Sequence, residues 1–276
     1  MRPVRDPERP LRLSGSALDG LVKCPLNWFL DKQVHAETPR GTATAFGSVV
    51  HAVADFVAKG EVAADLAAMD AHVERIWSEL RFEAGWQSAA ERSEARAALA
   101  RFLAYHVAEE RELVSSERGV GALVEVPTPD GGTDTIELSG YVDRVERDDD
   151  GRLVAIDLKN MRYGVREADV PEYGQLGVYQ LILRDQGLDG SPGPHPVGGA
   201  ALVQLRMPAG KGASMPKEQF QAALEERSPT WVEERLGQAA AIVRSEQFPA
   251  IAGAQCSYCP FTPVCPAQDI GEPVVS

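Results

Sequence analysis

Long hydrophobic runs are missing from this sequence. No stretch approaches the roughly 20 apolar residues that a membrane-spanning helix needs. The opening MRPVRDPERP carries basic residues but no apolar segment of a secretory signal, so a cytoplasmic protein without a membrane partner is expected. Positive charge is scarce too. Against 41 Asp and Glu stand 28 Lys and Arg, a formal net charge of −13, which argues against capture of nucleic acid by bulk phosphate neutralisation. Carboxylates gathered round a divalent cation are a different matter, because bound metal compensates them locally. The chain has no G-x-x-x-x-G-K-[ST] phosphate loop, so any ATP-driven work must come from elsewhere. Internal repeats and low-complexity segments are also absent.

Cysteine is sparse, and its placing is informative. Of four cysteines, Cys24 stands alone and Cys256, Cys259 and Cys265 form the cluster CSYCPFTPVC. In a reducing compartment a C-x-x-C-x5-C cluster reads as a metal or iron–sulfur site before a disulfide framework. Tetrahedral zinc and a [4Fe–4S] cluster both accept four thiolates, and spacing does not separate them.

What is present is an ordinary globular composition, 44% hydrophobic and 25% charged, in a chain of 276 residues that can bury a sizeable core. Ser14 precedes a periodic apolar run, predicting a short helix that brings Cys24 and Trp28 to one side. A second helix is expected over ATAFGSVVHAVADFVAKG, ending at Gly60, with Gly47, His51 and Asp55 sharing a face at i, i+4 spacing. Residues 61–113 read as a mainly helical insertion. The period then changes to two: GALVEVPTP, DTIELSGYVDRVE and GRLVAIDLKN predict an antiparallel three-strand meander with PDGG and DDDG turns. A helix over PEYGQLGVYQLILRDQG, a Gly- and Pro-rich loop, the strand AALVQLRMP and a long helix at about 216–246 follow. This order predicts one α/β domain over 1–276. Its parts are N-terminal helices at 13–60, the insertion at 61–113, a core at 119–210 and a C-terminal helix with the cysteine loop at 216–276.

Within the meander, Asp157 and Lys159 lie two residues apart and so project from one face of a strand. Whether Asp143 joins them depends on the DDDG turn. A three-residue loop with Gly151 left-handed sets Asp143 opposite Asp157, whereas a two-residue turn sends Asp143 to the other face. Two carboxylates and a backbone carbonyl suit Mg²⁺ or Mn²⁺, and a nearby lysine suits phosphodiester hydrolysis. A plain cross-hairpin salt bridge has the same spacing.

The elements GYVDRVE…AIDLKN resemble the PD-(D/E)xK nuclease pattern, with Asp143 as first acid and Asp157-Leu158-Lys159 as the (D/E)xK element. FGSVVHAV resembles the G-x-x-x-H element of the RecB-like branch and QLGVY its Q-x-x-x-Y element. Cys24 with the C-terminal cluster resembles the iron–sulfur staple of AddB/AdnB-type helicase-nucleases and of a CRISPR-adaptation nuclease family. The resemblance covers about Leu13 to Cys265. It implies a restriction-endonuclease-like core, a mixed sheet flanked by helices, with the chain ends joined by a [4Fe–4S] cluster on Cys24, Cys256, Cys259 and Cys265. It implies metal ligation by His51, Asp143, Asp157 and the Leu158 carbonyl, with Glu125 as an additional carboxylate. Catalysis would fall to Asp143, Asp157 and Lys159, with Gln175 and Tyr179 facing the strand. The implied activity is a Mg²⁺- or Mn²⁺-dependent exonuclease on single-stranded DNA or DNA ends, working with a helicase in double-strand-break repair and recombination. The alternatives are a non-catalytic iron–sulfur module that binds DNA ends, a standalone CRISPR-adaptation-type nuclease, and a zinc-stapled structural protein. Asn160 departs from the pattern, standing where threonine is frequent.

Overall fold

In a computed structural model, Asp6 and residues 9–36, 42–77 and 85–269 are described. A mixed sheet runs through the molecule. Its strands are β1 (Leu11–Leu13), β2 (Glu112–Pro127), β3 (Thr133–Arg147), β4 (Leu153–Lys159), β5 (Val197–Pro208) and β6 (Pro216–Ala222). β3, β4, β5 and β6 follow one another across the sheet, β4 and β5 pairing parallel through a helical crossover. β2 covers one edge of β3 along its length. On the other edge of β3, β1 pairs with Ile136–Leu138 and β4 with Arg144–Arg147, so the segment between them has no strand partner there.

The meander forms because apolar residues alternate through it and glycine sits where the turn needs it. Asp148 N–H donates to the Arg152 carbonyl at 3.0 Å, and Gly151 takes φ 79°, a left-handed value glycine adopts without a Cβ clash. Arg147 pairs with Leu153 and Arg144 with Ile156. This is the three-residue loop of the two sequence alternatives, and extrapolating its register sets Asp143 across from Asp157. The expected shared face does not follow, because β3 breaks alternation between Val142 and Val145 and turns Asp143 toward α3 while Asp157 meets Gln175 of α6.

Helices cover both faces. One face packs α3 (Thr42–Ala58), α4 (Leu66–Trp77) and α5 (Gly85–Ala108) on Val154, Ile156, Leu158, Ala201 and Val203. The other packs α1 (Gly15–Lys23), α6 (Gly174–Gln186) and α7 (Trp231–Ser245). Ser14 accepts from Ala17 N–H and caps α1, as its residue type predicts. α2 (Pro25–Trp28) and a π-helical turn over Phe29–Gln33 follow Cys24.

Three expectations change. The long helix expected over 216–246 divides into β6 and α7. Residues 216–222 alternate with polar residues inward: Gln219 and Gln221 are buried and Phe220 is exposed. The buried amides are satisfied by the Val165 carbonyl at 2.9 Å, the Val170 carbonyl at 2.8 Å and the glutamines Gln204 and Gln180. A hydrophobicity pattern read from sequence inverts there. β2 begins at Glu112, inside the segment expected to be helical, and β1 is a three-residue strand too short to show a period.

Candidate active site and metal centre

β3 and β4 part after the Arg144–Ile156 pair, and the site lies in that fork. Alternation in β3 breaks here: Val142 and Val145 both pack toward α6, while Asp143 and Arg144 both reach toward α3 and α5. Asp143 closes the fork by accepting the Leu158 N–H on Oδ2 at 2.7 Å, and its Oδ1 lies 3.4 Å from His51 Nδ1 on α3. A third ligand comes from β2. Glu117, opposite Asp143 in the extrapolated register, joins His51 and Asp143 in a group whose ligand atoms lie within 4.8 Å of one another. Its φ is 45°, a costly value for a residue with a side chain, held where the chain presents a carboxylate to its neighbours.

Asp157 and Lys159 face the α6 side. Lys159 Nζ is 2.7 Å from Asp157 Oδ2 and donates to Gln175 Oε1 at 2.9 Å, while Gln175 Nε2 donates to Asp157 Oδ1 at 2.9 Å. Gln175 thus bridges acid and ammonium. It is held in turn by Tyr179, whose hydroxyl lies 2.8 Å from Nε2 and donates to the Tyr141 carbonyl at 2.7 Å. The ring of Tyr179 lies over Gly140, where a Cβ would come within 2.8 Å of it. Tyr179 is 4% exposed and holds Gln175 from the side of α6 at the wall of the cleft. Asp19 of α1 fixes the start of α6 by accepting from Gly174 N–H at 2.9 Å and Gln175 N–H at 3.2 Å.

The electrostatics follow from burial. Burial pushes the Asp157 carboxyl up to about 6; Lys159 opposes that shift and Asp143 adds to it. Burial would lower His51, but the hydrogen bond and charge of Asp143 prevail and hold it above its ordinary value. Burial likewise works against the Lys159 ammonium, and Asp157 overrides it, so Lys159 stays charged. Glu117 is raised by burial and by Asp143. Such carboxylates stand closer to like charge than their surroundings neutralise, and a divalent cation held there would supply the missing charge. One imidazole with carboxylate oxygens is a donor set compatible with Mn²⁺ or Mg²⁺. The Asp157 Oδ2 makes no properly aligned hydrogen bond, and both amide atoms of Asn160 are buried without a partner.

These groups line one cleft of about 1260 Å³, larger than the roughly 300–1,000 Å³ of small-molecule sites. Its lining holds His51, Asp143, Asp157, Leu158, Lys159, Gln175 and Tyr179. It also holds Glu117, which the sequence reading lacks. Glu125, expected as the extra carboxylate, lies eight residues farther along β2, roughly 26 Å away at strand rise. It pairs across from Thr135 and accepts from the Thr133 hydroxyl, so the metal position is out of its reach. The register identifies the residue that stands in its place, since Arg118 pairs with Val142 and Glu117 therefore falls opposite Asp143.

The chain ends meet at the cysteines. Leu26 N–H donates to the Pro249 carbonyl at 3.2 Å, and Gln255 donates to the Lys23 carbonyl at 3.3 Å. All four cysteines are free thiols of intermediate exposure. Cys259 Sγ accepts from Asn27, and Cys24 and Cys256 Sγ from the backbone N–H groups of Ile251 and Gly253.

No helix among the described residues is long and apolar enough to cross a membrane. No curated protein matches the chain. Among solved structures it is similar to the crystal structure of SSO0001, with a TM-score of 0.43 at 14% identity over 95% of this chain and 88% of that one. Residues 12–266 match the family model of the PD-(D/E)XK nuclease superfamily, and the chain, whose fork gathers those acids and that lysine, belongs to this superfamily.

Proposed function

We propose that this protein is a Mg²⁺- or Mn²⁺-dependent deoxyribonuclease acting on single-stranded DNA or DNA ends. The observation that carries the reading is the buried Asp157–Lys159–Gln175 triangle beside the His51–Glu117–Asp143 group in one open cleft. A divalent ion bound there supplies an acidified water and positive charge at a phosphoryl oxygen. The protein's own part is positional. Asp143 and Glu117 offer oxygens on one side and His51 an imidazole nitrogen, while Leu158 keeps Asp143 in place through its N–H. Lys159 is held charged, so it donates hydrogen bonds and stabilises negative charge instead of accepting a proton. Gln175 sets the direction of the ammonium, and Tyr179 and Asp19 set Gln175.

Cleavage of end-labelled single-stranded DNA with Mn²⁺, with Mg²⁺ and with chelator tests this. Metal-dependent cutting that disappears in Asp157→Ala and Lys159→Ala is expected. A folded wild type that cuts no nucleic acid with either metal would favour the non-catalytic DNA-end binding module.

The finer reading is a RecB-like, AddB-type nuclease that works with a helicase in break resection and recombinational repair. A net charge of −13 suits a domain to which DNA is delivered. A standalone CRISPR-adaptation-type nuclease shares the same parts, and co-purification with a helicase separates the two. We also assign a [4Fe–4S] cluster to Cys24, Cys256, Cys259 and Cys265. N–H groups pointing at three of the sulfurs support thiolate ligation. Visible absorbance of anaerobically purified protein, lost in Cys256→Ala with a fall in melting temperature, is expected. A colourless protein carrying zinc would reverse the assignment.

A further inference from the structure

The mouth of the cleft carries groups that the acid cluster does not use. Tyr141 sits on β3 two residues before Asp143, on the same face and about 6.6 Å along the strand. Its ring is 72% exposed yet lines the cleft. Its partner on β2 is Gly119, and a Cβ there would meet ring atom Cε1 at 3.4 Å, so the ring lies against a stretch of bare backbone. That leaves an aromatic surface open to solvent beside the metal ligands.

The same cleft is also lined by Asn160, Met161 and Arg162. Three cations line the cleft. Lys159 is tied to Asp157 and Gln175, and Arg206 to Glu91 and Glu94. Arg162 is exposed and has no ion-pair partner among the described residues. It is thus the arginine of the lining that no carboxylate holds among the described residues.

An open aromatic face and an unpaired cation lining one cleft are how proteins hold single strands: bases stack on the ring and phosphates meet the charge, with little regard to sequence because every base has a π-face. We propose that Tyr141 and Arg162 form a nucleotide subsite beside the metal centre, the ring stacking an unpaired base while Arg162 contacts a backbone phosphate. This rests on the nuclease reading above and adds to it the part that selects an unpaired strand. A base inside a duplex must leave its stack to reach the ring, whereas a frayed or single-stranded base need not.

The test is fluorescence anisotropy with the full chain, Ca²⁺ replacing Mg²⁺, and short labelled oligothymidylate, oligodeoxyadenylate and blunt duplex as probes. Tyr141→Ala should weaken both single strands by on the order of tenfold and leave the duplex unchanged, while Tyr141→Phe stays close to wild type. Arg162→Gln should flatten the slope of log affinity against log salt by about 0.7 for a single strand. Circular dichroism confirms that the variants fold. Wild-type affinity in Tyr141→Ala, an equal loss in Tyr141→Phe, an equal loss for duplex, or no binding by wild type would each overturn the subsite. Cleavage assayed in parallel separates the two readings. Tyr141-dependent binding without cutting leaves the subsite and sinks the nuclease, and metal-dependent cutting with Tyr141→Ala binding unchanged does the reverse.

Discussion

Asp143 and its neighbour Arg144 each enter a cluster of charged groups on the same side of the sheet, and the two clusters are built on opposite plans. Around Arg144, charges are matched. Its guanidinium bonds the buried Glu146 and donates to His106 Nδ1 at 2.8 Å, and Tyr105 donates to Glu146 at 3.1 Å. Arg111 reaches Glu146 at 3.0 Å and Glu109 at 2.8 Å. Two arginines meet three carboxylates, Glu146, Glu109 and the exposed Glu218, and every one of the three touches a guanidinium, while burial together with Arg144 keeps His106 below its ordinary value. Around Asp143, three carboxylates, Asp143, Asp157 and Glu117, meet the single ammonium of Lys159 and one imidazole. The first cluster is complete as folded and the second is short of positive charge. Ionic groups packed into a fold do not by themselves mark function; the unmatched set does.

The largest separation should come from paired substitutions at these adjacent positions. Asp143→Asn keeps an oxygen for the Leu158 N–H but removes a ligand charge. Cleavage is expected to fall by about 10²-fold or more, with a melting temperature unchanged or higher because like charges are relieved. Arg144→Leu should behave oppositely, costing about 3–5 kcal/mol in urea denaturation by leaving Glu146 buried with less than its full complement. Its cleavage per folded molecule should stay close to wild type. If Asp143→Asn destabilises as much as Arg144→Leu, the two clusters are both structural and the contrast fails.

A smaller effect sharpens the ligand set. Glu117→Gln should weaken Mn²⁺ binding by about tenfold or more in calorimetric titration, and Glu125→Gln, at the far end of the same strand, should leave it unchanged. Equal affinities for wild type and Glu117→Gln would remove the β2 carboxylate from the site.

That pair also shows where sequence reasoning reaches and where it stops. Asp157, Lys159 and His51 were legible because strand and helix periods fix which residues share a face. Asp143 needed the turn type, which DDDG left open between two registers. Glu117 was hidden for a different reason. It sits in SSERGVG, where Val120 alone packs on the core and Glu117 meets the open cleft, so the stretch shows no apolar alternation to place it. β6 escaped on related grounds, since its inward residues are glutamines satisfied by loop carbonyls that only the folded chain supplies. Gln175 and Tyr179 were found as a pair, but their buried backing role depends on the approach of Gly140, which no spacing rule contains.

The smallest expected effect is a pH dependence within the matched cluster. Burial pushes the Glu109 carboxyl up, but Arg111 donates to it from its backbone at 3.0 Å and from its side chain at 2.8 and 2.9 Å, holding it at about 2 against an ordinary 4.5. A carboxylate whose folded value is depressed stabilises the fold above its unfolded value and loses that contribution as pH falls through the folded one. The contribution of Glu109 is therefore present above about pH 4.5 and declines toward pH 2. Glu146 is raised by burial against the pull of Arg144 and Arg111, so its protonation works in the contrary sense, but above about pH 4.5, before the Glu109 decline begins. Urea midpoints measured across this window should fall less steeply for Glu109→Gln than for wild type. Parallel curves would show that Arg111 is held by Glu146 and Glu218 alone, and that the matched cluster is smaller than its geometry implies.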